Sequence, residues 1–267
     1  KLSELHKILF VEDLNKYLTF IEKDHEGEII LRQIPTSIEN SINEKLSKLN
    51  FRIIEENYEI IDPAIKEGKE IIEAKANADN LEIILTENSS EDNRENLELI
   101  SQFIENNKRT AVLFNSRKQL EYFTLELSKK GYDIVSQLTG SIGKVQEQYR
   151  NQHQKATLLV TTNAWKNFLH TELVDNLIIL KTPFIPPSDP YLVAESKNSI
   201  DSFNEIQVPK AILSLKQIIN RILKDNEREK KVIIMDPRIH KKSYGKNIIE
   251  SLNSIKEVNK YLFTELV

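Results

Sequence analysis

The clearest chemical pattern in the sequence is a stripe of polar residues on a predicted helix near the carboxyl terminus. Gln217, Arg221 and Lys224 are spaced by four and three residues, so at about 100° per residue they share one helix face. Ser214 and Lys210 continue this stripe. One amide and three cations on such a ridge could hold a phosphate, with arginine supplying a fork-shaped contact. The alternative is an ordinary solvated helix face.

The amino-acid composition excludes several kinds of binding site and partner. The 267 residues carry a net charge of −4, so any contact with nucleic acid requires a local patch rather than bulk attraction. The absence of cysteine excludes disulfides, thiolate zinc sites and an iron–sulfur cluster. The five histidines show no metal-ligand spacing, so no metal site is predicted. No apolar run approaches a membrane span of about 18 residues, and a cytoplasmic location without membrane partners is expected.

Short apolar runs alternate with helical patterns over most of the chain. The predicted strands cover residues 111–114, 132–135, 157–160, 177–180 and 232–235. The predicted helices cover residues 97–106, 117–130, 143–154, 206–225 and 243–255. This alternation predicts an α/β fold with a doubly wound parallel sheet and helices on both faces.

The amino-terminal third is read as a smaller segment of mixed α/β structure. Residues 18–21 and 28–31 predict strands around a turn at 24–27, and residues 37–49 predict a helix. A polar break follows at residues 89–95. We therefore predict a segment at 1–88 and a sheet domain at 89–267.

Polar residues follow the predicted strands, where doubly wound sheets bind ligands. The stretches concerned are Asn115-Ser116-Arg117, Ser136-Gln137, Thr161-Thr162 and Asp236-Pro237-Arg238. Trp165, near one of these strand ends, could stack on nucleic-acid bases. The alternatives are a generally polar sheet edge and a tryptophan packed in the core.

Five segments, in order, resemble the second motor domain of DinG/XPD-type superfamily 2 helicases. The most specific is Leu180–Pro190, which is similar to the family's KLPF-PPSDP loop. The other four are Thr110–Ser116 (motif IV), Phe203–Ala211 (the approach to motif VI), Leu215–Lys224 (motif VI) and Asp236–Gly245 (the terminal D-x-R…K-x-YG segment).

The resemblance implies a RecA-like domain that completes an ATP site with the amino-terminal motor half of the same protein. Gln217, Arg221 and Lys224 would face the nucleotide, with Arg221 and Lys224 as the catalytic cations and ATP and Mg²⁺ as cofactors. The family also binds single-stranded DNA, which here would contact Ser116, Arg117, Gln137 and Thr162, joined by Trp165. The sequence contains no G-x-x-x-x-G-K-[ST] loop and no DEAH box, so this chain alone is expected not to hydrolyse ATP.

The sequence also departs from the family pattern. The motif V region, Ala164–Glu172, keeps Trp165 but lacks the family's glutamate, glycine and aspartate. In motif VI, Asn220 replaces a glycine and Lys224 replaces the last arginine, which loses the bidentate fork. A second hypothesis is therefore a degenerate helicase-like module that holds DNA for an attached 3′→5′ exonuclease. A third is an unrelated doubly wound nucleotide-sugar enzyme, against which the order of the five segments argues.

Overall fold

The computed structural model describes residues 17–23, 28–35, 53–55, 71–73, 78–86, 92–104, 108–152, 156–197, 199–223 and 228–261. The chain divides into two compact units. The smaller unit comprises Lys1–Lys75 and Phe184–Lys210, and the sheet unit comprises Ala76–Pro183 and Ala211–Val267.

The secondary structure alternates between strands and helices. The described strands are β1 (Tyr17–Lys23), β2 (Ile29–Pro35), β3 (Ile53–Glu55), β4 (Ile71–Glu73), β5 (Leu81–Thr86), β6 (Thr110–Phe114), β7 (Ile134–Ser136), β8 (Thr157–Thr161), β9 (Asn176–Ile179), β10 (Lys230–Ile234) and β11 (Val258–Tyr261). The described α-helices are α1 (Asn93–Phe103), α2 (Arg117–Lys129), α3 (Ile142–Asn151), α4 (Thr162–Trp165), α5 (Pro190–Ser196), α6 (Val208–Asn220), α7 (Arg238–Lys241) and α8 (Gly245–Asn253). Short 3-10 helices cover Gln137–Thr139 and Thr171–Leu173, and a π-helical segment covers Phe203–Gln207.

Seven of the described strands form one sheet in the order β11-β5-β10-β9-β6-β8-β7. Every neighbouring pair is parallel. All residues of β6 and β9 are buried, as a sheet covered on both faces requires. Because the strands are parallel, their carboxyl ends meet at one edge, which we call the carboxyl rim. The predicted doubly wound parallel sheet is confirmed.

The core on one side of the sheet is built from the apolar stripe of α2. This stripe consists of Leu120, Phe123 and Leu127, which follow one another at intervals of three and four residues and are all buried. Phe123 packs on Phe114 of β6 with ring centroids 5.1 Å apart. Gly131 follows α2 with φ of +82°, a left-handed conformation that suits glycine at a helix end.

Aspartate side chains that accept hydrogen bonds from backbone N–H groups mark the starts of two helices. Asp92 caps α1 by accepting a hydrogen bond from the Arg94 backbone N–H at 2.8 Å. In the smaller unit, Asp189 accepts from the backbone N–H groups of Tyr191 and Leu192 and caps α5. Pro190 occupies the first turn of α5, where its missing N–H costs nothing.

The smaller unit contains the predicted strand pair near the amino terminus. Strands β1 and β2 are antiparallel, with Tyr17 opposite Pro35 and Lys23 opposite Ile29. Helix α5 packs against both strands. The turn predicted at 24–27 and the helix predicted at 37–49 lie outside the described residues.

Three features differ from the predicted organisation. Strands β5 and β11 were not predicted, and β5 pairs between β10 and β11, so the sheet uses residues from the predicted segment 1–88. Helix α6 ends at Asn220 rather than at residue 225. The Arg221 N–H still bonds to the Gln217 carbonyl four residues back, whereas the N–H groups of Ile222 and Leu223 bond to carbonyls three residues back, which tightens the backbone into a turn.

A close backbone approach fixes the junction between α7 and α8. A Cβ atom placed on Gly245 would lie 1.7 Å from the backbone oxygen of Ile239. Neither group is a flexible side-chain end, so a substitution must push the two helices apart. Gly245 is therefore required by packing, since its φ is not in the left-handed region.

We predict that Gly245→Ala lowers the free energy of unfolding by about 2–3 kcal/mol, the cost typical of overpacking. Gly143→Ala is the matched control, because a Cβ there meets nothing within 4 Å and the residue lies in α3. The control should leave stability unchanged or raise it by up to about 1 kcal/mol. Urea unfolding of both variants measures the difference, and equal midpoints would refute the packing explanation.

Candidate functional site

Parallel pairing brings together the polar residues that follow β6, β8 and β7. Phe114 of β6 is paired with Thr161 of β8, and Ser136 of β7 is paired with Leu159. The residues just beyond these strand ends, Ser116, Arg117, Gln137 and Thr162, therefore lie at neighbouring positions of the carboxyl rim. We call these four residues the rim cluster.

Ser116 and Arg117 form the exposed part of the rim cluster. The Ser116 hydroxyl accepts a hydrogen bond from the Gln119 backbone N–H at 3.2 Å and so caps α2. The Arg117 side chain is 80% exposed and pairs with Glu121 one turn along the helix. Such an exposed pair contributes little to stability, so the guanidinium can exchange this partner for a phosphate at small cost.

Gln137 ties the end of β7 to the end of β8. Its side-chain oxygen accepts hydrogen bonds from the backbone N–H and the hydroxyl of Thr161, at 2.8 and 3.0 Å. The Thr161 hydroxyl in turn accepts from the Ala164 N–H and caps α4. Because its oxygen is occupied, Gln137 presents its amide N–H₂ as the group for an outside acceptor. Thr162 is 8% exposed and contributes mainly backbone.

Trp165 does not belong to an exposed surface. Its ring is fully buried and stacks on Phe168, with centroids 5.9 Å apart and planes 9° apart. Its indole N–H donates to the Ile218 carbonyl of α6 at 3.3 Å. The suggested stacking of Trp165 on DNA bases is therefore wrong for this structure, because the apolar ring and its one donor are both satisfied inside the core.

A hydrogen-bond network around the buried residues Thr182 and Asp236 joins the ends of β6, β9 and β10 at the carboxyl rim. The Asn115 side-chain amide donates to the Thr182 carbonyl at 3.0 Å, and the Thr182 N–H donates to the Asp236 carboxylate at 2.8 Å. Arg238 then holds both oxygens of Asp236 through its Nε and terminal nitrogen, at 2.9 and 2.7 Å. We call this network the rim brace.

The charge of Asp236 is stabilised inside the protein. Burial alone would raise the pKa of this carboxyl, but hydrogen bonds from Arg238 and Thr182 and the Arg238 charge hold the pKa below its ordinary value. Asp236 is 2% exposed. The sequence shows the residues of the rim brace at strand ends and in the D-x-R segment. Only the structure shows that they are hydrogen-bonded to one another across three strands.

Arg221 brings the motif VI-like segment against the motif V-like segment. Its guanidinium donates to the Phe168 carbonyl, and its own carbonyl accepts from the Thr171 hydroxyl at 2.5 Å. Burial lowers the pKa of Arg221, and its Nε is buried without a hydrogen-bond partner among the described residues. An orphaned donor on a half-buried cation is costly unless a further acceptor is bound.

The predicted cationic ridge is only partly assembled. Gln217 is exposed on α6, and Lys210 forms an ion pair with Glu195 within the smaller unit. Arg221 lies just past the end of α6, where it contacts the connection from α4 to β9. Lys224 lies outside the described residues.

The fold is that of the RecA-like domain of XPD-type proteins. The solved structure named XPD_Helicase matches with a TM-score of 0.64 at 14% identity, over 93% of this chain and 48% of that one. The structure of S. tokodaii Xpd4 matches with a TM-score of 0.60 at 17% identity, over 88% of this chain and 49% of that one. At these identities the likeness concerns the fold alone.

Comparison of the amino-acid sequence with known families and proteins shows the family to which this chain belongs. A model of the helicase C-terminal domain matches residues 97–255, which is more than half of the chain, and the chain belongs to this family. It is 31% identical over 178 residues to the ATP-dependent DNA helicase YoaA of Haemophilus influenzae, covering 62% of this chain and 27% of that protein. It is 29% identical over 160 residues to the 3'-5' exonuclease DinG of Bacillus subtilis, covering 55% of this chain and 17% of that protein. The DinG/XPD resemblance is confirmed.

Within the part of the chain that the structure describes, no helix has the length and apolarity to cross a bilayer. In the same residues, no three histidine or carboxylate side chains come together as a metal site would require.

We predict that Asp236→Asn destabilises the protein by about 2 kcal/mol at pH 7, since the amide offers Arg238 and Thr182 fewer acceptors inside the core. The pKa of Asp236 is lowered in the folded state, so its contribution is present above the unfolded pKa and lost as pH falls through the folded pKa. The stability difference between parent and variant should therefore shrink in acid.

Urea unfolding at pH 7 and at about pH 3, below the reference aspartate pKa, measures this difference. The control is Glu121→Gln, which removes an exposed carboxylate from the pair with Arg117 and should change stability little. A difference that stays constant over this pH range would show that the Asp236 charge does not support the fold.

Proposed function

We propose that this chain is the C-terminal motor domain of an ATP-dependent DNA helicase of the DinG/XPD type. The observation that carries the proposal is the rim cluster on a parallel sheet, in a chain of the helicase C-terminal family. The chain matches about a quarter or less of the length of the relatives described above, so the activity belongs to the whole protein. In this role the domain binds single-stranded DNA and supplies one side of an ATP site.

The rim cluster suits a sugar–phosphate backbone. Arg117 offers an exposed guanidinium, and Gln137 offers an amide N–H₂ whose oxygen is already bonded to Thr161. Ser116 adds a hydroxyl at the start of α2. Such groups position a strand through its phosphates without reading its sequence. Asn115, held by the rim brace, keeps this edge rigid against β9.

Arg221 is the residue through which the domain would reach ATP bound by the amino-terminal motor half. Its side chain is partly exposed, and the motif V-like segment holds its carbonyl and guanidinium in place. Gln217 is exposed one turn earlier on α6, and Lys224 stays a prediction. ATP with Mg²⁺ would supply the phosphoryl chemistry, and these residues would contact the phosphate charge.

A degenerate, DNA-holding module remains the second candidate function. The motif V-like segment, Ala164–Glu172, lacks the aspartate that the family carries there. This segment instead exposes a leucine, Leu169, whose exposed fraction is 67%. The similarity to the relative named 3'-5' exonuclease DinG is consistent with this candidate function. In such a protein the rim cluster would still bind DNA, whereas Arg221 would stabilise the fold only.

We predict that Arg117→Ala weakens binding of this chain to labelled oligothymidylate and lowers the slope of log affinity against log salt by about 0.7, the value for one phosphate contact on a single strand. Fluorescence anisotropy at several salt concentrations measures both quantities. Arg150→Ala removes an exposed arginine near the far end of α3 and serves as the control. Equal slopes for the two variants and the parent would remove Arg117 from the interface.

We predict that Arg221→Ala in the full-length protein reduces DNA-stimulated ATP hydrolysis by about a thousandfold or more, as loss of a phosphate-facing arginine does in other motors. The melting temperature of the variant separates this loss from unfolding, because Arg221 also bonds to Phe168. Normal hydrolysis in a folded variant would contradict the assigned role. A parent protein that binds DNA but hydrolyses no ATP would support the DNA-holding module instead.

A further inference from the structure

A cluster of cations lies on α7, α8 and the turn between them. Residues 238–246 contain four lysines or arginines and one histidine, with no acidic residue, in a chain whose net charge is −4. Lys241, Lys242 and Lys246 are all exposed. We call these three lysines the basic corner. A local concentration of positive charge on an acidic protein is the electrostatic footprint of a polyanion site.

The charges of the basic corner are available to a ligand. Arg238, at its base, already neutralises Asp236 of the rim brace. Lys246 pairs with Glu250 at 3.6 Å, but both side chains are more than 60% exposed, so the pair is weak. Within the described ranges, neither Lys241 nor Lys242 has an ion-pair partner. The positive charges of these two lysines are therefore not compensated there, which favours an anionic ligand.

Two residues of the basic corner, Lys242 and Lys246, line a cavity of about 530 Å³. Ile239 and Ile249 contribute apolar lining, and the polar lining also includes His240, Ser243 and Glu250, the last of which pairs with Lys246. An apolar surface beside lysines and a hydroxyl fits a nucleotide unit, whose sugar and base are less polar than its phosphate. The walls are rigid because Gly245 packs directly against the Ile239 backbone.

The basic corner lies on the same edge of the sheet as the rim cluster. Helix α7 starts directly after Asp236, which the rim brace holds beside the end of β9. In the strand order, β10 is two places from β6 and three from β8, or roughly 10 and 14 Å at about 4.8 Å per strand. A single nucleic-acid strand can span this distance along one edge.

We propose that the basic corner is a second DNA-backbone contact, which extends the single-stranded DNA path from the rim cluster along the carboxyl rim towards α8. This inference rests on the proposed function, because it assigns a further contact to the same ligand. The phosphates would lie against Lys241, Lys242 and Lys246, with a sugar or base in the adjoining cavity. Recognition would depend on charge and not on base sequence.

The test compares two pairs of adjacent lysines. The double variant Lys241→Ala/Lys242→Ala should weaken binding of oligothymidylate about tenfold and lower the salt slope by about 1.4, twice the single-strand value per contact. The matched control is Lys129→Ala/Lys130→Ala, at the other end of α2, away from the carboxyl rim. The control should keep the slope and affinity of the parent. Unchanged binding in Lys241→Ala/Lys242→Ala, with Arg117→Ala still weakened, would overturn the basic corner alone.

A second readout uses the absence of cysteine from the sequence. Ser243→Cys should form a disulfide cross-link with an oligothymidylate that carries a tethered pyridyl disulfide, by thiol–disulfide exchange that releases pyridine-2-thione, and Ser128→Cys should not. Equal cross-linking of the two variants would overturn the proposal. Displacement of the oligonucleotide by polyglutamate at equal charge concentration would also overturn it, in favour of an acidic protein partner. A parent chain that binds no oligothymidylate would overturn the proposed function itself.

Discussion

The parallel direction of the sheet is the constraint on which the rest of this domain depends. Parallel strands need crossover connections, and each connection starts from the carboxyl end of a strand. Residues that are far apart in the sequence, such as Ser116, Thr162 and Asp236, are therefore placed on one edge. The helices cover the sheet, so the apolar strands are buried and the polar groups that follow them become the accessible chemistry of the domain.

A buried carboxylate gives this edge its rigidity. Asp236 receives hydrogen bonds from the Thr182 N–H and from two nitrogens of Arg238, and Asn115 extends the network to β6. The Arg238 backbone N–H is a fourth donor to this carboxylate. Because four donors compensate the charge, burial does not protonate it, and it can fix the exits of β9 and β10 against each other. The same contact orients α7, so the brace connects the proposed DNA path to the basic corner.

The segments that resemble motifs V and VI support each other in the structure. Trp165 donates to α6, and Arg221 donates to the Phe168 carbonyl. These bonds hold even though the motif V region lacks the family's glutamate, glycine and aspartate, so packing between the two segments persists without those side chains. The fold of the domain and its activity are separate properties.

The sequence by itself determined the class of fold, because buried parallel strands require apolar runs such as Ala111–Phe114, and the PPSDP loop indicated the family. Tertiary structure alone decided which polar residues work together. Strand β5 could not be assigned locally because a short apolar run predicts a strand only once its neighbours are known. Likewise, helical spacing placed Arg221 on one face of a helix but could not show that it contacts Phe168. Trp165, an aromatic residue near a strand end, lies in the core because long-range packing buries it.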